Sequence, residues 1–264
     1  MSEGRIRRLG RIFRDDQKSV IVAMDHGGFF GTQAGFEQPR QLIHQVVSGG
    51  ADAVLATVGL AQKFAAEFAP VGLILRVDGG VSRMGTREWR GDLIFGAETA
   101  LRLGADGVIA MGFPGAQHEN VNLQYLARLS NQCIQWELPF VAEMLPRGFE
   151  GGEDARTPES LATAARIGAE LGADVIKTEY TGSEESFRAV VRASYVPVVI
   201  LGGARMNNDR AIFQTVREAM DAGASGVAMG RNIWGHRSPR KMTEAIAAIV
   251  HADASVDDAL TIVE

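Results

Sequence analysis

The chain has 264 residues, 46% of them hydrophobic and 22% charged, with a mean hydropathy near zero, a composition that suits a globular protein large enough for one full core. Its net charge of -5 and pI near 5.6 lack the basic excess that neutralises a phosphate backbone, which excludes nucleic acid as the expected partner and points to a small molecule. A single cysteine, Cys133, excludes an intramolecular disulfide and reads as a small core hydrophobe; the charged opening stretch excludes a signal peptide, and no run reaches the roughly 18 apolar residues of a membrane span, so a cytoplasmic protein with no membrane partner is expected.

In chain order, the first eighteen residues read as a short amphipathic helix with Ile6, Leu9, Ile12 and Phe13 on its apolar side. Eight short apolar runs follow, each bounded by Gly, Pro or Asp: SVIVAMDHG (19–27), ADAVLATVG (51–59), VGLILRVDGG (71–80), ADGVIAMGF (105–113), PFVAEMLPRG (139–148), ADVIKTEY (173–180), PVVILGGA (197–204) and SGVAMGRN (225–232). Between most of them lie helical patterns ending in Gly, such as PRQLIHQVVSGG, ESLATAARIGAELG and DRAIFQTVREAMDAG. The related stretches GGADAV, LGADGVI, LGADVIK and AGASGVA open strands two, four, six and eight. Strand–helix alternation requires a parallel sheet, and eight such units in about 250 residues fit an α/β fold of the (β/α)8 TIM barrel type, with the N-terminal helix closing the bottom. An open doubly wound sheet is the alternative. Without a linker or low-complexity tract, one domain spanning 1–264 is expected.

Active sites of such barrels lie at the C-terminal strand ends, and three groups of polar residues fall there. Lys177 interrupts an apolar strand and shares a face with Val175 and Glu179; if that face points inward, the cost of desolvating an ammonium in an apolar interior favours a neutral, nucleophilic amine. A lysine at a strand end can equally snorkel to solvent. LGGARMN (201–207) and MGRNIWG (229–235) follow strands seven and eight, the two loops that commonly hold phosphate in this architecture, and Arg231 adds a fork of donors; tight turns and a solvated rim arginine would read the same. Asp25 and His26 end strand one, where a carboxylate facing the mouth could move protons or simply cap the turn.

AMDHG after strand one, IKTEYTG on strand six, LGGAR on strand seven and GVAMGRNIWG on strand eight together resemble the DeoC/LacD-type class I aldolase family, in order from about residue 5 to the C-terminus. That family includes archaeal-type fructose-bisphosphate aldolases, aminodideoxyheptulosonate synthases and a thiolase acting on phosphorylated autoinducer-2 products. The resemblance implies a Schiff-base lysine at Lys177, an acidic partner at Asp25, and substrate phosphate held by Gly202, Gly203, Gly230 and Arg231, with His26 and Arg147 as further substrate contacts. Where family aldolases and synthases carry a Tyr-Pro-Arg-Gly stretch whose tyrosine is the general acid/base, this chain has Leu145-Pro146-Arg147-Gly148. Glu143, two residues before Leu145 and about 6.6 Å along the strand, is the expected replacement if burial raises its pKa; an ion pair with a neighbouring Arg or Lys is the competing reading. Glu179 and Tyr180 are weaker candidates.

The expected function is therefore a class I aldolase cleaving or forming a C–C bond in a phosphorylated keto-sugar. Loss of the tyrosine keeps open a thiolase that transfers an acyl group from a 3-hydroxy-5-phosphonooxypentane-2,4-dione-like diketone to coenzyme A. A phosphate-ligand sensor without catalysis is a third reading, which Lys177 and Asp25 disfavour; a flavin barrel has nothing in the sequence to position its ring. His26, His44, His118, His236 and His251 show no paired ligand spacing, and class I chemistry needs neither metal nor cofactor, coenzyme A entering only as a co-substrate of the thiolase. The resemblance also implies a homo-oligomer, possible as a ring.

Overall fold

Eight parallel strands close into a barrel in chain order: β1 (Ser19–Ala23), β2 (Ala53–Ala56), β3 (Gly72–Arg76), β4 (Gly107–Gly112), β5 (Phe140–Met144), β6 (Val175–Thr178), β7 (Val198–Leu201) and β8 (Gly226–Met229), with β8 pairing back onto β1. The computed structural model describes residues 2–85 and 91–264. Each strand falls inside one of the eight apolar runs, which are continuously apolar because both faces are buried. Ile21, Ala23, Ala53, Leu55, Ile74, Ile109, Val141, Val175, Val199 and Ala228 pack against one another inside the barrel. Their neighbours in sequence, including Val20, Val54, Leu75, Val108, Ile176 and Val227, pack outward in the layer shared with the helices.

The four related stretches have a common job. Gly50, Gly104, Gly172 and Gly223 end the preceding helices at φ +94°, +75°, +90° and +99°, the left-handed region where a side chain is strained. The N–H of the Asp or Ser two residues on then donates to the strand before it: Asp52 to Val20 O, Asp106 to Leu73 O, Asp174 to Phe140 O and Ser225 to Val198 O, at 2.7–3.0 Å. The three aspartates also accept from those residues, at 2.7 Å from Val20 N, 3.0 Å from Leu73 N and 2.9 Å from Phe140 N. Each Gly-Ala-Asp thus turns the chain and fastens the bottom of one strand to its neighbour.

The N-terminal helix, α1 (Glu3–Ile12), closes that bottom: Ile12 and Phe13 join the barrel's interior cluster, with Leu9 partly buried beside them. Ile6 does not share this face and is 54% exposed. Six residues before Ile12, it lies about 120° from it around a 3.6-residue helix, which carries it off the seam. A short antiparallel ribbon, Asp78–Gly79 against Asp92–Leu93, follows β3 and was not expected from the sequence.

At the same end, His251 bridges two carboxylates, Nδ1 to Asp16 Oδ2 at 2.7 Å and Nε2 to Asp52 Oδ2 at 2.8 Å, tying the last barrel helix (Pro239–Ala252) to the N-terminal segment. Burial lowers the pKa of His251, but the two carboxylates outweigh it and hold the imidazole above its ordinary 6.5. A group whose folded pKa is raised stabilises below its unfolded pKa, so this contribution is full below about pH 6.5 and is lost as pH rises through the higher folded value. His251→Ala is expected to cost about 2 kcal/mol near pH 6 and clearly less at pH 9, read from urea midpoints at the two pH values. Equal losses at both would show that the pairs carry no charge.

Candidate active site

The C-terminal strand ends surround a cavity of about 270 Å³ whose floor is charged. Because Val175 packs inside the barrel, Lys177 points inward two residues later, and it is only 5% exposed. Its surroundings are not apolar: Nζ lies 2.8 Å from Oε1 of Glu143, its register partner on β5. Oε2 of the same carboxylate accepts from Arg76, which ends β3 and is also 5% exposed. Arg76 Nε donates to Asp25 Oδ2 at 2.8 Å, and its NH1 to Asp78 Oδ1 at 3.1 Å. Three carboxylates thus face two cations in a buried floor.

Electrostatics follow from this pairing. Burial would raise the pKa of Glu143, but Lys177 and Arg76 overcome it and hold the carboxyl at about 2. The expectation of a raised pKa at Glu143 is corrected by these two contacts, and both its oxygens are committed. Asp78 behaves differently: burial raises it despite Arg76 and the N–H of Met111, which donates to its Oδ2 at 3.0 Å. Burial lowers the pKa of His26, more than Asp25 raises it, which favours the neutral imidazole; its Nδ1 is 3.6 Å from Asp25 Oδ1 and has no hydrogen-bond partner among the described residues. The ring stands edge-on to Trp234, 5.5 Å between centroids, whose indole N–H donates to Ala23 O at 3.1 Å and so fixes the end of β1.

On one side of the floor lie Gly202, Gly203, Gly230 and Arg231. A Cβ at Gly230 would stand 2.5 Å from both Ala23 O and His26 Cε1, so only glycine lets β8 pass this close to β1. Arg231 donates through NH2 to Gly203 O at 2.7 Å, while its Nε is buried without a partner among the described residues. Burial lowers the guanidinium's pKa, a desolvation cost that a bound anion would offset. Met111, Leu145, Phe29 and Leu201 give the cavity an apolar lining, with Phe113 in the same buried cluster.

The structure brings Lys177, Asp25, Glu143, His26, Gly202, Gly203, Gly230 and Arg231 around this one cavity. Arg147 does not line it: at φ +55° its backbone turns the side chain outward to an exposed pair with Asp154 at 3.5 Å. The rim arginine is Arg156 instead, 3.1 Å from Glu179. Tyr180 is committed elsewhere, donating to Glu218 at 2.6 Å. Arg76 and Asp78 were missed. Arg76 carries the same signal as Lys177, a charge inside the apolar run VGLILRVDGG with the inward parity of Ile74. No group of three or more His, Cys, Asp or Glu side chains among the described residues is placed to hold a metal ion.

Barrel and relatives together define a class I aldolase, a carbon–carbon lyase of the Schiff-base type. The sequence profile of the DeoC/LacD family aldolases matches residues 19–236. The 2-amino-3,7-dideoxy-D-threo-hept-6-ulosonate synthase of Halobacterium salinarum is 37% identical over 257 residues, covering 97% of this chain and 95% of that protein. The class 1 fructose-bisphosphate aldolase of Thermoproteus tenax is 32% identical over 262 residues, covering 96% and 97%. A solved Schiff-base-forming fructose-1,6-bisphosphate aldolase superposes with a TM-score of 0.86 at 33% identity, covering 94% of this chain and 100% of that one. The chain belongs to the DeoC/LacD family of aldolases.

Proposed function

We propose that the protein makes or breaks a C–C bond beside the ketone of a phosphorylated keto-sugar, with Lys177 as the Schiff-base nucleophile. The observation that carries this reading is the buried Lys177 amine, 2.8 Å from Glu143 on the floor of a cavity that Gly202, Gly203, Gly230 and Arg231 also line. The neutral amine attacks the ketone carbon, forming the C–N bond as the C=O π pair moves to oxygen; the oxygen takes a proton and the nitrogen gives one up, leaving a neutral carbinolamine. A second proton on that oxygen lets it leave as water, and the nitrogen lone pair forms the C=N bond of the iminium. In the cleavage direction a proton leaves the substrate hydroxyl, its O–H pair becomes the carbonyl of the departing aldehyde, and the C–C pair moves into the iminium to give an enamine. Protonation at carbon and addition of water release the second product and the lysine. The iminium is the electron sink, so no metal or cofactor is needed.

Glu143, fully engaged and held ionised, serves best as the counter-charge of the iminium rather than as the base. Asp25 takes the proton: its Oδ1 lies 3.6 Å from Nδ1 of neutral His26, and it accepts no hydrogen bond from the described residues. Phosphate is held at Gly202, Gly203, Gly230 and Arg231. Arg231→Ala is expected to raise KM for a phosphorylated substrate about 10–100-fold and to leave residual activity on the dephosphorylated analogue nearly unchanged, as a lost charge-assisted contact of about 1.5–3 kcal/mol implies. Equal losses on both substrates would make the residue structural.

One observation favours a second reading. Leu145 is 6% exposed in an apolar wall, where no hydroxyl among the described residues stands to protonate an aldol oxygen, and acyl transfer to coenzyme A from a phosphorylated diketone needs none there. Assaying the wild type with a ketose bisphosphate, and separately with a phosphorylated diketone plus coenzyme A, separates the two. Aldehyde release from the ketose without coenzyme A supports the aldolase; turnover with the diketone and coenzyme A alone supports the thiolase.

A further inference from the structure

We infer that Arg76 is the positioning residue of this site: its guanidinium holds Glu143 and Asp25 in place around the Lys177 amine and supplies the positive charge against which both carboxylates sit. The inference rests on Lys177 being the Schiff-base nucleophile. Arg76 ends β3, whereas Asp25 follows β1 and Glu143 lies on β5, so a strand intervenes on either side. With neighbouring strands about 4.8 Å apart, its partners are separated by far more than one side-chain contact, and a planar fork on a long stem spans the gap. Each of its three nitrogens donates to a different carboxylate: Nε to Asp25, NH1 to Asp78 and NH2 to Glu143. The Phe29 ring lies against the guanidinium at 5.7 Å and limits where it can move.

The charge argument is independent of this geometry. As an ammonium or an iminium, Lys177 shares Glu143 with Arg76, which also pairs with Asp25 and Asp78. In the carbinolamine the nitrogen is neutral, and Arg76 is then the one cation touching Glu143 and Asp25 among the described residues. Without it, two buried carboxylates would repel, and one would take a proton and cease to be either counter-charge or base. The charged and titratable groups around Glu143 are Lys177 from β6, Arg76 and Asp78 at the end of β3, Asp25 and His26 at the end of β1, and Arg231 at the end of β8. Glu143 is the one among them that contacts both cations of the floor.

The test uses the full chain and borohydride trapping with dihydroxyacetone phosphate, followed across pH, in Arg76→Met/Asp78→Asn, which removes a cation and an anion together so that the floor keeps its charge balance. Wild type should show no inflection from Glu143 between about pH 4 and 7, whereas the double variant should acquire an acid limb there, with trapping at its lower end reduced about tenfold or more. Adding Glu143→Gln should remove that limb and so assign it. Arg76→Lys, which keeps the charge but not the fork, should hold the limb off while lowering the rate at least about tenfold; if the double variant does not fold, this variant alone carries the test. Wild-type rates and profile in a folded variant, or a uniform loss with an unchanged profile in the double variant, would overturn the inference. Absence of any adduct in the wild type would instead remove the Schiff-base reading beneath it.

Discussion

Lys177→Met is expected to lower turnover by about 10⁴-fold or more and to abolish borohydride trapping while the barrel stays folded. Methionine has nearly the length of the lysine stem and no nucleophile, so the covalent route closes without opening a cavity. Removing one partner of a buried ion pair often costs about 3–5 kcal/mol because the other charge is stranded. Here Glu143 keeps Arg76, and Asp25 and Asp78 are held by the same guanidinium, so the loss should fall below that range. Thermal melting and circular dichroism check the fold, and turnover checks the chemistry. Wild-type turnover in a folded Lys177→Met protein would remove the nucleophile from the mechanism.

Asp25→Asn should separate adduct formation from proton transfer. The amide keeps an oxygen to accept from Arg76 Nε, so the floor geometry is preserved, but it cannot take a proton. The iminium should remain trappable while C–C cleavage and proton exchange at the adjacent carbon slow by about 10²–10⁴-fold, the usual contribution of general acid–base catalysis. Glu143→Gln should do the reverse, since it removes the negative charge beside the iminium: trapping falls, and exchange per adduct formed changes by less than about tenfold. Solvent deuterium exchange into the bound ketone, normalised to trapped adduct, distinguishes the two. If Glu143→Gln slows exchange per adduct as strongly as Asp25→Asn, the base is Glu143, and its contacts with Arg76 and Lys177 must open during turnover.

The barrel could be read in the sequence because its signals are local. A strand buried on both faces must be continuously apolar, and a helix that turns back into a parallel strand needs a left-handed residue, here the glycine of each Gly-Ala-Asp or Gly-Ala-Ser stretch. Lys177 was visible for the same reason, as a charge breaking such a run on the face it shares with Val175. What Lys177 touches was not local. The Glu143 carboxylate two residues before Leu145 looks like a candidate base until β5 and β6 are set side by side and Arg76 reaches in from β3. The same holds at the rim, where the left-handed backbone at Arg147 turns one arginine to solvent and Arg156, nine residues on, lines the cavity. Nothing in Leu-Pro-Arg-Gly marks that turn. Ile6 failed through phase, since helical spacing from Leu9 and Ile12 was extended one turn beyond the contact with the N-terminal end of the barrel.

Mass mapping of the reduced adduct tests the central claim most directly. The wild-type protein is treated with borohydride and dihydroxyacetone phosphate, digested, and its four lysine-containing positions, Lys18, Lys63, Lys177 and Lys241, are compared. The added mass is expected on the Lys177 peptide alone, and inorganic phosphate should slow its appearance by competing at Gly202, Gly203, Gly230 and Arg231. An unmodified Lys177 peptide, or an equal adduct on the other three lysines, would contradict a Schiff base formed on the barrel floor.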